Sequence, residues 1–496
     1  MTDIDIADVE IDETKIESMT KIGGGNYGSV YKALYLGKEI AVKVILRKDT
    51  DSESQFNRRV NAFKSEIKLL TRIHHPNVCQ FLGACTRNTR EIKICMELLY
   101  KDLDHVLITP ESHKTFYSLA DRMRMGRDAA LGMEWLHGSN PMIIHRDLKP
   151  ANLMLDSYGR VKVCDFGLSQ LLGKDEMFVD KGKSPGSPVW KAPELFDRQH
   201  DITEKVDVYA FGLILWQLLT RDQVFKEFFS GYTEEAFGRQ ISAGYRPEIP
   251  PGTPRELAEL MRGCWEEDPD ARPSFSEVVQ GMHRVVAAAA IPDEEYRYWW
   301  MENFSSQRGA GEPVEQVDWP TFIAKFPKNQ EIADGSPRSE QVWSCFKAIL
   351  DPAWFKQPER DPVIRMDRFG LVVEWLKGFH CDMQSLPIAC YLLAKEPWFF
   401  GDSSKETCNS VIRHFKDGAF LVRFSVSTPG AYSLVYRLNN TACHALVRFD
   451  GNCYILNKKS YATIFDLVKS LSADIGLRFT VPGSPYAWIF HKSEYV

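Results

Sequence analysis

The sequence predicts a multidomain α+β chain, and three observations carry that prediction. Its 496 residues exceed what one ordinary domain packs around a single core. At 44% hydrophobic and 26% charged, its composition is that of a globular chain. Its pattern also changes twice. Short strand-like runs (SVYKALY, KEIAVKVIL) give way to a long helical stretch, and from Trp398 onward the order is helix, strands, helix.

Several classes are excluded at the outset. A net charge of −6 gives no reason to expect nucleic-acid binding. Eleven cysteines, an odd number without CxxC pairing, read as free thiols in a reducing compartment. The start MTDIDIADVEIDETKIE is acidic, lacks an apolar signal core, and has Thr2 where myristoylation needs glycine. The longest apolar run, VYAFGLILWQLL at 208–219, is too short to span a bilayer and fits a buried core helix. The expectation is a cytoplasmic protein with no transmembrane segment.

In chain order, the first signal is Ile22-Gly23-Gly24-Gly25-Asn26-Tyr27-Gly28-Ser29-Val30, which fits G-x-G-x-x-G-x-V. Glycines let backbone amides approach phosphates with no Cβ in the way, although glycine-rich turns are common and this one alone is weak. Fifteen residues past Gly28, Lys43 ends the apolar strand IAVK, and Glu66 in FNRRVNAFKSEIKLLTRI offers it an ion-pair partner. Met125, Ala129, Gly132 and Leu136 then recur at helical spacing. The decisive stretch is IIHRDLKPANLML at 143–155 followed by CDFG at 164–167. Transfer of a phosphoryl group needs metal and cations to neutralise charge, and a carboxylate beside the incoming hydroxyl. Asn152 and Asp165 are oxygen ligands suited to Mg²⁺, and Asp147 can take the hydroxyl proton.

With these parts in order, residues 16–290 resemble the protein kinase family, whose signature set is the one matched. The resemblance implies a bilobal protein kinase fold that uses ATP and Mg²⁺. It implies that residues 22–30 cover the phosphates and that Lys43 contacts them while paired with Glu66. Asp147 is then the base, Lys149 steadies the γ-phosphate, and Asn152 and Asp165 hold the metal. Met96 becomes the gatekeeper, with Glu97 to Leu99 as the adenine hinge. Asp207 braces the catalytic loop, and Arg272 pairs with Glu194 of the A-P-E tripeptide at 192–194. Lys149-Pro150 and Ser187 resemble serine/threonine kinases, while GYRPEIP and CWEEDPDARPSF resemble the tyrosine-kinase-like group. Ser/Thr is therefore favoured as acceptor and Tyr stays open, with protein substrates either way. Ser169 and Ser184 are candidate phosphorylation sites in the activation segment, whose phosphate could dock on Arg146 just before Asp147.

The second constellation lies in GAFLVRFS at 418–425. Phe420, Val422 and Phe424 point one way, and Leu421 and Arg423 the other, so the strand is apolar on both faces and should be buried. A buried guanidinium needs a carboxylate or an external anion. Ser425, Ser427 and Thr428 follow it with hydroxyls, as a phosphate dianion requires. With Trp398, the helix beginning at Lys405, and His444 two strands later, residues 398–492 resemble the SH2 domain. The resemblance implies that Arg423 binds a phosphotyrosine phosphate, with Lys405, Ser425, Ser427, Thr428 and His444 around it. Phe424 departs from the usual glutamate of this motif.

Residues 291–397 are rich in Trp, Phe and Pro, and Phe369, Val372, Val373 and Leu376 recur at helical spacing. This helical connector distantly resembles the EF-hand-like module before the SH2 domain of Cbl ubiquitin ligases and STAT transcription factors. DPAWFKQPERDPVIRMDRF lacks the spacing and the glycine of a calcium loop, so no calcium is expected there. Kinase, connector and SH2 in this order resemble the SH2-bearing tyrosine-kinase-like kinases of social amoebae. That resemblance implies a kinase recruited or regulated by phosphotyrosine-containing proteins, including recruitment to a membrane periphery. The alternatives are a catalytically silent phosphotyrosine-binding scaffold and an SH2 domain that binds in cis, for example Tyr495.

Overall fold

A computed structural model describes residues 6–491 apart from 26–27, 47–63, 65, 88–90, 110–116, 167–168, 173–186, 197–201, 229–230, 306–311, 333–334, 355–356 and 358. Asn26, Tyr27, Ser184 and Tyr495 lie outside the described residues. The chain gathers into two compact units, Met1–Val286 and Ala287–Val496.

The first unit opens with a five-stranded antiparallel sheet. Its strands are β1 (Ile16–Gly25), β2 (Gly28–Tyr35), β3 (Lys38–Leu46), β4 (Phe81–Cys85) and β5 (Glu91–Glu97), in the order β1-β2-β3-β5-β4. The Gly25↔Gly28 pairing closes the glycine-rich hairpin. Lys43 sits on the central strand between Val30 and Ile94, where β-branched neighbours on both sides suit the pleat. The unit starts before residue 16. Glu10 bridges Ala84, and the Glu10 carboxylate accepts the Thr86 N–H at 2.9 Å, covering the edge strand β4. A Cβ on Gly83 would fall 2.3 Å from Ile11 Cγ2, so this close approach needs glycine.

The remainder of the unit is mainly helical. Helix α1 (Leu119–His137) starts at a capping box in which Ser118 and Asp121 satisfy each other's backbone N–H groups. Helix α2 (Lys205–Thr220) holds the apolar run 208–219 and is buried almost all round, as a central helix without a polar face must be. The hairpin of Leu153–Leu155 with Val161–Val163 pairs Leu153 with Val163, so Asn152, before its first strand, and Cys164-Asp165, after its second, lie side by side at its open end. The Cys164 N–H donates to the Asn152 carbonyl at 2.8 Å and ties the two ends together.

In the second unit, helices such as Glu294–Asn303, Trp319–Lys325 and Pro337–Leu350 enclose an aromatic cluster that includes Trp300, Phe322, Phe346 and Phe369. Helix α3 (Met366–Leu376) buries Phe369, Val372, Val373 and Leu376, the periodic set expected from sequence. Asp351, which opens the stretch compared with a calcium loop, is committed to structure. It accepts Arg360 Nη2 at 2.7 Å and the N–H groups of Ala353 and Val363 at 3.1 and 3.0 Å.

A six-stranded sheet follows helix α4 (Lys405–Ile412). Its strands are β6 (Ala419–Phe424), β7 (Tyr432–Leu438), β8 (Thr441–Phe449), Tyr454–Leu456, Lys459–Tyr461 and Phe479–Thr480, the last parallel to β6. Helix α5 (Ile464–Ile475) comes after the fifth strand. Strand β6 is buried on both faces by different elements. Leu421 packs in a core with Cys408 and Ile412 of α4, whereas Phe424 stacks on Trp375 of α3 at 4.0 Å and 7°. The Tyr432 hydroxyl donates to the Trp375 carbonyl at 2.8 Å. Arg368 lies over the Trp375 ring and pairs with Asp402 at 2.6 Å. These contacts gather connector and sheet into one unit, although the sequence reads as two segments. Trp375→Ala removes the partner of Phe424 and is expected to destabilise this unit by about 3–5 kcal/mol. Faster amide hydrogen exchange in β6 of the full chain checks it.

Candidate functional sites

Ile22, Gly24, Val30, Lys43, Glu66, Met96, Glu97, Leu99, Asn152 and Asp165 line one cavity of about 350 Å³. Gly23 and Ser29 belong to the strand pair at its mouth. Lys43 Nζ donates to Glu66 Oε1 at 2.7 Å and to Asp165 Oδ1 at 3.2 Å. Burial alone would lower the Lys43 pKa, but the Glu66 and Asp165 carboxylates raise it above its ordinary value. A permanent ammonium is thereby held at the wall of the cavity.

Asp207, buried at the N-terminal end of α2, organises the catalytic loop. Its Oδ2 accepts His137 Nε2 at 2.9 Å and the His145 N–H at 2.8 Å, and its Oδ1 accepts the Arg146 N–H at 2.8 Å. Arg146 has φ +66°, a left-handed conformation that costs a non-glycine residue about 1–3 kcal/mol. The bonds to Asp207 hold the loop there. His145 donates Nε2–H to the Cys164 carbonyl at 2.9 Å, which links the loop to the segment carrying Asp165. Burial opposes ionisation of Asp207, yet the hydrogen bond and charge of His137 and the His145 contacts hold its pKa below the ordinary value.

Asp147 sits at the centre of a compact polar set. Lys149 Nζ donates to Asp147 Oδ2 at 2.6 Å and to Ser187 Oγ at 2.9 Å, and the Ser187 N–H donates to Asp147 Oδ1 at 3.1 Å. Asn152 Nδ2 donates to the Asp147 carbonyl at 2.8 Å and to Oδ2 at 3.2 Å. Asn152 Oδ1 is thus left without a hydrogen bond among the described residues. With the half-exposed Asp165 carboxylate it makes two hard-oxygen donors on one cavity. Magnesium typically takes one or two protein oxygens and completes its shell with water and phosphate, so these residues fit it. Arg272 and Glu194 form the expected pair, bidentate at 2.6 and 2.9 Å and fully buried. The Ser169 hydroxyl donates to the His145 carbonyl at 3.4 Å.

In the second unit, Arg423 is half-buried on β6. Its Nη1 donates to the Phe424 carbonyl at 3.1 Å, and its Nε is buried without a hydrogen-bond partner among the described residues. No carboxylate lies within ion-pair distance of it there. Ser425 is buried beside it, and Ser427 and Thr428 lie in the loop leading to β7. His444, on the same face of the sheet through the Val435↔His444 and Arg423↔Ser433 registers, bonds Asn409 Oδ1 at 2.8 Å through Nε2. Desolvation first, then the charges of Lys405 and Arg423, push the His444 pKa down, which favours the neutral donor. Lys405 opens helix α4. Of the six residues expected to read phosphotyrosine, Arg423 and His444 share a face of the sheet and Lys405 is close enough for its charge to act on His444, while Ser425, Ser427 and Thr428 follow at the end of β6.

Sequence reasoning missed His137, Asn409 and Trp375, whose roles come from contacts distant in the chain. His137 was legible only as the end of an amphipathic helix, and Asn409 as a polar residue in a short one.

Comparison with known proteins follows this division. The protein tyrosine and serine/threonine kinase family matches residues 16–282, and the SH2 domain family matches residues 398–471. Dual specificity protein kinase shkA of Dictyostelium discoideum is 34% identical over 98% of this chain and 92% of its own length. Dual specificity protein kinase shkC of the same organism is 34% identical over 86% and 82%, respectively. Serine/threonine-protein kinase CTR1 of Arabidopsis thaliana is 35% identical over 58% of this chain and 34% of its own.

The depressed pKa of Asp207 sets a pH dependence. Its stabilisation is fully present above the ordinary carboxylate value of 3.8 and is lost as pH falls through the lower folded value. Asp207→Asn is therefore expected to be less stable than the native chain at neutral pH, with the difference shrinking below about pH 4. Denaturant midpoints measured across that range check it.

Proposed function

The chain belongs to the protein kinase family and carries an SH2 domain, and from that premise we propose that it phosphorylates serine and threonine first, and tyrosine as well, under the control of phosphotyrosine bound at Arg423. The observation that carries the acceptor preference is the bonding of Lys149 to both Asp147 and Ser187. In this reading that ammonium and the fixed Ser187 hydroxyl flank the path of the acceptor. The relatives named as dual specificity kinases support the wider acceptor range. Lys43, Glu66, Asp147, Asn152 and Asp165 are all present and drawn together, which disfavours a catalytically silent scaffold.

In this reading ATP occupies the cavity between Met96 and Asp165. Lys43 binds its phosphates and is kept charged and oriented by Glu66. Asn152 and Asp165 would hold Mg²⁺, which would neutralise phosphate charge when bound. The acceptor oxygen attacks the γ-phosphorus as the bond to the bridging oxygen of ADP breaks. Asp147 takes the hydroxyl proton, and Lys149 faces the charge on the transferred group.

The SH2 domain supplies recruitment. Arg423 binds a phosphate dianion bidentately, and a linked reader raises the local concentration of its partners for the kinase without altering its catalytic contacts. Among the described residues no helix is long and apolar enough to cross a membrane. Recruitment to a membrane periphery through bound phosphotyrosine partners is part of the same proposal.

Asp147→Asn is expected to lower kcat by about 10²–10⁴-fold while nucleotide affinity is retained. Phosphate incorporation and nucleotide titration check this, and phosphoamino-acid analysis of the product should show phosphoserine and phosphothreonine in excess. A product containing phosphotyrosine alone overturns the acceptor reading. Arg423→Ala should weaken binding of a phosphotyrosine peptide to the full chain by about tenfold or more, with peptide kinase activity unchanged. Fluorescence anisotropy measures it.

A further inference from the structure

Next to Asp147 lies an open groove of about 570 Å³, whose lining includes Lys149, Ser187 and Trp190. Three charged side chains line it, and two are already neutralised. Lys149 is bonded to Asp147 at 2.6 Å, and Glu234 is bonded to Lys191 at 2.7 Å. The third, Asp104, has no lysine or arginine within ion-pair distance among the described residues. Its Oδ1 accepts Gln217 Nε2 at 2.6 Å, and its Oδ2 carries no hydrogen bond there and is not sealed from solvent. Burial, with the nearby Asp102 charge, raises its pKa above the ordinary value against the hydrogen bond from Gln217 and the more distant charge of Lys149, so the site leaves this carboxylate poorly solvated. Asp104 is not needed to cap its helix (Leu103–Ile108), because Asp102 accepts the His105 N–H at 2.7 Å. The same groove contains Tyr232, 54% exposed, with its ring 4.7 Å from that of Phe228.

A partly desolvated carboxylate with a free oxygen, in a groove with exposed aromatic faces and no unpaired cation of its own, matches a guanidinium. Such a group offers forked donors to the carboxylate and stacks on aromatic rings. We propose that this groove selects acceptor segments carrying an arginine close to the phosphorylated hydroxyl, with Asp104 as the specificity-determining carboxylate. The inference rests on the kinase reading above and names its substrate class. Lys149 and Ser187 line the groove and also bond Asp147, so the arginine and the acceptor occupy one continuous surface.

The test uses the full chain and a panel of single-serine peptides in which arginine, lysine, alanine or glutamate is walked through the flanking positions. At one position at least, arginine should raise kcat/KM about tenfold or more over alanine, with glutamate the poorest. In Asp104→Asn the arginine-to-alanine ratio should collapse towards one, and Asp104→Glu should restore part of it. A native enzyme indifferent to arginine overturns the proposal, as does a ratio unchanged in Asp104→Asn. Absence of phosphorylation on every peptide together with absence of autophosphorylation overturns the kinase reading instead.

Discussion

The buried carboxylate of Asp207 is the interaction on which the catalytic centre depends. One side chain on the most apolar helix of the first unit accepts two successive backbone N–H groups and a histidine ring. Those three bonds offset the desolvation of a charge and hold Arg146 in a left-handed conformation. Asp147 follows directly and inherits its orientation from that turn. The His145 bond to the Cys164 carbonyl then carries the same constraint to the neighbouring Asp165, so Asp147 and Asp165 are placed by one anchor. Precise placement of this kind is what phosphoryl transfer demands, because the protein contributes position and charge rather than covalent chemistry.

The two units treat buried cations in opposite ways. Lys43 is paired with two protein carboxylates, which keep it charged and oriented whether or not a phosphate arrives. Arg423 has no carboxylate partner among the described residues, and one of its nitrogens is buried and unsatisfied. A guanidinium left in that state gains most from an incoming dianion, so its cost in the free protein becomes affinity in the complex. Phe424, which departs from the acid usual in this motif, is explained by the opposite face of the strand. An acid there would be buried against Trp375, whereas a phenyl ring stacks on it.

The chemistry was legible along the chain because each catalytic part is a residue type at a fixed spacing within a short segment. HRDLKPAN and CDFG bring Asp147, Lys149, Asn152 and Asp165 close in sequence, and a hairpin of two three-residue strands brings them close in space. Periodicity likewise exposed the buried face of α3 and the fully buried α2. His137, Asn409 and Trp375 escaped notice because each acts on a residue tens of positions away, through a contact that no local pattern encodes.

By itself, then, the sequence singled out the groups proposed to handle phosphate, since charge, hydroxyls and glycine freedom are local properties of residues. It also determined that strand 419–424 would be buried on both faces, from the apolar residues that flank Arg423 on each face. Only the tertiary structure decided what covers those faces, and so joined connector and sheet into one unit. It alone decided which charges are already neutralised, leaving Arg423 and Asp104 without ionic partners among the described residues while Lys43, Lys149 and Glu234 have theirs. The physical reason is that pairing depends on distances of a few ångströms between side chains, and these are settled when distant segments pack rather than when the chain is written.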